Sequence, residues 1–173
     1  MKYLQNGGYQ SNVYMRMTIS FALVFLIGFV VTNFLLYFSK MDLTTGSVVS
    51  YYAGSEAEYR PARSYQSMLE VTHGHLPMMA LVLLLLTHLV ILAPLSGKLK
   101  ATFVIIPFVA GLLSEGSGWL VRFVSPNFAL LKITSFLVLQ VSLILLLAVL
   151  GAGMLLSRTQ MAAGSNGKAK PYP

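Results

Sequence analysis

Leu69–Leu95 reads LEVTHGHLPMMALVLLLLTHLVILAPL, and its two halves suit different solvents. The first carries Glu70, His73 and His75, whereas Leu76 to Gly97 holds no Asp, Glu, Lys or Arg. At 1.5 Å per residue, a helix over about 69–93 is long enough for a hydrocarbon core of about 30 Å, and Pro94 stops it. Composition agrees: 56% of the 173 residues are hydrophobic and only 10% charged, with a mean hydropathy of +0.73. A soluble domain is about a quarter charged, so this is a membrane protein. The absence of cysteine excludes disulfides, thiolate metal sites, covalent c-type haem and cysteine nucleophiles on this chain. The net charge of +7 is scattered around apolar spans, which argues against a nucleic-acid partner.

Working outward, Met17–Ser39 is an uncharged run that spans as a first helix. It is too long for a secretory apolar region and lacks a small-residue cleavage site, so it reads as a mature helix. Residues 1–16 form a polar arm ahead of it. Residues 40–68 are the one long hydrophilic connection, with room for a short helix around Thr44–Tyr52. Beyond Pro94, the basic turn LSGKLK leads to a third helix at about 101–122 and a fourth at about 127–156. The Gly/Ser/Lys/Pro-rich tail 157–173 reads as disordered. Lys2, Arg16, Lys98, Lys100, Arg158, Lys168 and Lys170 fall on one side of such a bundle; Lys40, Arg60, Arg63, Arg122 and Lys132 fall on the other. The richer side is cytoplasmic by the positive-inside rule, which puts both termini there. The acids Asp42, Glu56, Glu58, Glu70 and Glu115 then lie toward the outer side.

All three histidines, His73, His75 and His88, lie in the opening stretch, with Glu70 and the Met78–Met79 pair. Ionisable groups on a spanning helix are costly in hydrocarbon unless partnered. At 100° per residue, Glu70 and His88 share one stripe, and His73 lies about 60° away, so the three can face one interior. His75 is about 200° from His73 in a regular helix; only an extended or kinked backbone before Pro77 would let the two ligate one ion. Glu115, in LLSEGSGWLVRF, falls at about the depth of His73–His75 and is the hardest of these residues to dismiss. An outer-side cluster of Glu70, His73, His75, Met78 and Glu115 is therefore expected, with Asn33 of the first helix near the same depth.

Three chemistries fit it. Imidazoles can ligate haem b, with His73 and His88 strung along one helix, although no other helix offers an opposing histidine. Imidazole, carboxylate and thioether suit copper, iron or zinc. Glu115, Glu70 and His88 could relay protons. Bland readings compete: interfacial histidines bonded to water or carbonyls, methionines that pack, His88 bonded to Gln140 or Ser142, and Glu115 paired with Arg122.

SVVSYYAGSE, SMLEVTHGHLPMM and GWLVRFVSPNFALLKI together resemble a poorly characterised family of small bacterial four-helix membrane proteins. Its marks are an [ST]-H-x-H-L motif, matched by Thr72, His73, His75 and Leu76, and an S-P-N-F-A turn, matched by Ser125–Ala129. Some members look like cytochromes, with a CxxCH insertion in the first outer loop that is missing here. The resemblance implies respiratory or metal chemistry at the outer face of a bacterial inner membrane. The expectation is an all-α, integral membrane four-helix bundle: a small subunit of an electron-transfer or metal-handling complex. It would bind haem b or a transition metal through His73, His75 and His88. Its partners would be the lipid bilayer, other membrane subunits or a second copy, and a periplasmic cytochrome. A cofactor-free accessory subunit is the rival reading, and a proton-coupled small transporter the weaker one.

Overall fold

The structure is a computed structural model that describes the backbone of residues 12–166 and the side chains of residues 12–155. Five helices follow in order: α1 (Val13–Phe38), α2 (Thr45–Ala53), α3 (Tyr65–Ile91), α4 (Gly97–Phe123) and α5 (Ala129–Asn166). A single turn of 3₁₀ helix, Pro126–Phe128, leads into α5. α1, α3, α4 and Pro126–Leu155 are each long and apolar enough to cross a bilayer. The fold is an all-α membrane helical bundle.

Caps set the boundaries. The Asn12 side chain accepts from the Tyr14 and Met15 amides, so α1 begins four residues before the uncharged run. Ser64 and Ser96 each accept from an amide three residues on and start α3 and α4, again earlier than the apolar pattern alone indicates. α5 continues past 156 to Asn166, because SRTQMAAGSN contains no proline to break it. The rest of the expected disordered tail and most of the amino-terminal arm lie outside the described residues.

α2 is the only regular element in the long connection. Thr44 caps it and Gly54 ends it at φ +88°. Asp42 holds the approach by accepting from the Thr44 amide and hydroxyl at 2.6 and 2.5 Å. Those bonds from Thr44, helped by Ser47, hold the Asp42 carboxyl below its ordinary value. A lowered folded value means that the support is complete above the unfolded carboxylate range and is lost as pH falls through the folded value. Amide protection at residues 45–48, relative to the intrinsic exchange rate at each pH, is therefore expected to fall below about pH 4 in wild type and to lose that fall in Asp42→Asn.

α5 is the central strut, packed against α4, α1, α3 and α2. The main core gathers Leu26 and Val30 of α1, Leu83, Leu86 and Val90 of α3, and Leu139, Leu143, Leu146 and Leu150 of α5. A second cluster, of Tyr37, Met41, Val48, Val121, Ala129, Ile133 and Phe136, seats α2 on one end of the bundle. The outward faces are apolar as well: Phe25, Leu81, Leu112 and Leu130 are largely exposed. Such faces would be a liability in water and match lipid. Four spans put the two described chain ends at one end of the bundle and α2 at the other.

Candidate functional site

α3 runs unbroken through Pro77, so His73 and His75 both sit in helix, and two residues apart they point about 200° apart. They do not converge on one ion. The buried side of α3 is marked by Met68, Val82, Leu83, Leu86 and Val90. Glu70 and His88 lie opposite it, and both are exposed, as is His73. The stripe expected to face the interior thus faces away from the bundle. Its spacing explains its position: eighteen residues of helix are about 27 Å, close to the hydrocarbon thickness of about 30 Å. Glu70 and His88 bracket the span, Glu70 accepting from Gln66 at 3.0 Å and His88 lying in the last turn of α3.

His75 is the histidine that turns inward. Its Nδ1 lies 3.1 Å from Oε1 of Glu115 on α4. Glu115 is mostly covered, its side chain only 15% exposed, while His75 is 46% exposed at the rim. Glu115 therefore pairs with His75, and Arg122 instead donates to the Arg63 carbonyl at 2.8 Å. The Thr72 of the T-H-x-H-L run has its own role: it accepts from Trp119 Nε1 at 2.9 Å and ties α3 to α4 one turn from the pair.

Beside this pair lies Lys132, whose ammonium is buried inside the bundle. Its Nζ donates to the Ser114 carbonyl at 2.6 Å, approaches Ser114 Oγ at 3.4 Å, and stands 5.9 Å from the centre of the Tyr52 ring. No carboxylate among the described residues comes within 4 Å of it; Glu115 acts on it from further off. Lys132 reads in sequence as a loop charge near the start of the fourth helix. The available signal was its position in NFALLKITSFLVLQ, where it is the only charge.

These groups line one cavity of about 170 Å³ that reaches from the α2 end into the bundle. α1 contributes Phe29, Asn33 and Tyr37, α3 His75 and Met78, α4 Ser114 and Glu115, and α5 Lys132, Phe136 and Gln140. Tyr51 and Tyr52 of α2 cover its end. Tyr52 fits because residue 118 is glycine: a Cβ there would stand 2.9 Å from the Tyr52 ring. Burial, reinforced by the charges of Tyr51 and Glu115, pushes the Tyr52 hydroxyl well above its ordinary value and keeps it neutral. Arg63 braces this cover by bonding to the Tyr51 hydroxyl and to Ser67.

The expected metal cluster is split. His75, Met78 and Glu115 line the cavity together, while Glu70 and His73 point elsewhere. Among the described residues, no three His, Asp or Glu side chains come together as a metal site. The three histidines share one helix, so no two of them can sandwich one haem; bis-histidine ligation of haem b would need a histidine from another chain.

Fold and site together define a small polytopic α-helical membrane protein with a largely apolar cavity, carrying a few buried polar groups, set into one end. Residues 42–161 match the family described as a transmembrane helical domain, and the chain belongs to that family. No curated protein and no solved structure matches the chain.

Proposed function

We propose that this chain is a small subunit of a membrane electron-transfer complex, with the cavity around His75 and Glu115 as its working site. One observation supports this above the others. An imidazole and a carboxylate forty residues apart in sequence meet at 3.1 Å, beside a buried ammonium and within membrane-spanning helices. Groups so costly in hydrocarbon mark places where protons or charged groups are handled. An imidazole hydrogen-bonded to a carboxylate can take up and release protons on behalf of a bound group. The cytochrome-like members of the family that the sequence resembles support the electron-transfer setting. A second reading, a transition-metal site, draws on the meeting of imidazole, carboxylate and the Met78 thioether, a donor set that suits copper or iron.

Native purification of the complex, with a redox difference spectrum and metal analysis on the same sample, tests the reading. A redox-active partner is expected to co-purify. His75→Ala and Glu115→Gln should each cut electron flux through the intact complex about tenfold or more. Unchanged flux in both assembled variants would remove the proposal and leave an accessory subunit. Stoichiometric copper, iron or zinc that disappears in His75→Ala would select the metal reading.

A further inference from the structure

Within the cavity, hydrogen-bonding capacity goes unused, in donors and in acceptors. Asn33 of α1 and Gln140 of α5 both line the space, and neither side chain hydrogen-bonds to any other described residue; the buried Gln140 Oε1, an acceptor, has no partner. Gln140 is 1% exposed, so bulk water does not serve it. An ammonium has three N–H donors, and Lys132 spends its closest contacts on Ser114 alone. The one carboxylate present, Glu115, is already engaged by His75. Lys40 and Lys132 against Glu115 leave the lining with a formal charge of +1 when His75 is neutral. The cavity is thus positive, with unused donors on Lys132 and the two amides and an unserved acceptor in Gln140 Oε1. A group left unpaired at such depth costs more than its bond would return, so an occupant that can both accept and donate is called for.

Shape narrows the occupant further. Tyr37 and Phe136 stack with centroids 3.9 Å apart along one wall, and Phe29, Tyr51 and Tyr52 add aromatic surface. An apolar cavity of about 150 Å³ admits a benzene ring, so about 170 Å³ admits one ring-sized group. The exposed lining residues are Leu36 on α1 and Val71, His75 and Met78 on α3, so the mouth opens between two spanning helices. Entry is from the bilayer.

We infer that the cavity binds the head group of a bilayer-soluble quinone and its quinol, the ring oxygens accepting from Lys132 and from the Asn33 and Gln140 amides and, in the reduced form, a ring hydroxyl donating to Gln140 Oε1. Polar groups on α1 and α5 that line one aromatic-walled space suit a flat ring with oxygens on opposite edges. A phospholipid head group would ask for clustered cations and would leave the two amides unserved. The inference rests on the reading of this cavity as the working site, and it names what that site holds.

Titration of the detergent-purified full chain with a short-chain ubiquinone, followed by quenching of Trp119, tests it. Saturable binding at one quinone per chain is expected. Asn33→Leu and Gln140→Leu should each weaken it about tenfold, and the more flexible Gln140→Met likewise, with circular dichroism unchanged. Quenching that does not saturate, affinities equal to wild type in all three variants, or displacement of the quinone by phosphatidylglycerol vesicles would overturn the inference. The two proposals separate cleanly. Failed quinone binding alongside flux lost in the His75 and Glu115 variants sinks only the quinone; saturable binding with unchanged flux sinks only the electron-transfer role.

Discussion

Glu115→Gln is expected to lower the unfolding free energy of the detergent-solubilised protein by about 2 kcal/mol, whereas Lys132→Met leaves it unchanged or raises it. The opposite signs follow from which charge each change strands. Lys132 is 8% exposed and Glu115 is the carboxylate that acts on it, so neutralising Glu115 leaves a buried ammonium uncompensated. The loss falls short of the ~3–5 kcal/mol typical of a contact pair, because these two charges do not touch. Methionine, by contrast, removes the ammonium and fills much of its volume, which is neutral or favourable in a low-dielectric interior. In the double variant the Glu115→Gln penalty should vanish, a non-additivity that a double-mutant cycle reads directly. Unfolding monitored by circular dichroism in a denaturing-detergent titration supplies the numbers. Equal losses in both single variants with full additivity would show that the two charges do not communicate.

Gly54→Ala should cost about 2–3 kcal/mol, the second large effect. Gly54 sits at φ +88° and ψ 167°, a region that side chains other than hydrogen essentially never occupy. An added Cβ would also stand 2.7 Å from the Ala62 nitrogen and 2.9 Å from the Arg60 carbonyl oxygen, backbone atoms that cannot swing aside. The damage should be local at first: the Arg63 amide would lose its 3.0 Å bond to the Tyr52 carbonyl, loosening the cover of the cavity. Gly46→Ala, inside α2, is the control. Nothing lies within 4 Å of its added Cβ, so stability should hold or rise by up to about 1 kcal/mol. Thermal melts of the two variants decide the matter; a similar loss in both would mean that neither the backbone angle nor the contact at Gly54 matters.

The spans were legible in the sequence because lipid imposes a simple length rule, and each of the four apolar runs obeys it. Their starts were less legible, because Asn12, Ser64 and Ser96 add a polar turn ahead of the apolar residues. The site was half legible. Glu115 stood out as a carboxylate in an apolar run, and His75 followed from its motif. The pairing of the two could not be read, since periodicity gives angles within one helix and says nothing of which angle faces a neighbour. That blindness turned the stripe of Glu70, His73 and His88 inward in sequence, when the packing of α3 on α4 and α5 turns it to the outside.

Sequence alone determined that this is a helical membrane protein: hydrocarbon cannot satisfy backbone polar groups, so apolar runs of this length must become helices wherever they pack. It also indicated a short helix around Thr44–Tyr52, close to the α2 that Thr44 and Gly54 bound. Only the tertiary structure decided which face of α3 is buried, and hence that His75 meets Glu115. It likewise decided that Lys132 is an interior charge and that Asn33 and Gln140 look into one space. The reason is physical. The outward faces are as apolar as the inward ones, so hydrophobicity does not distinguish them in a membrane, and close packing along α5 makes the choice.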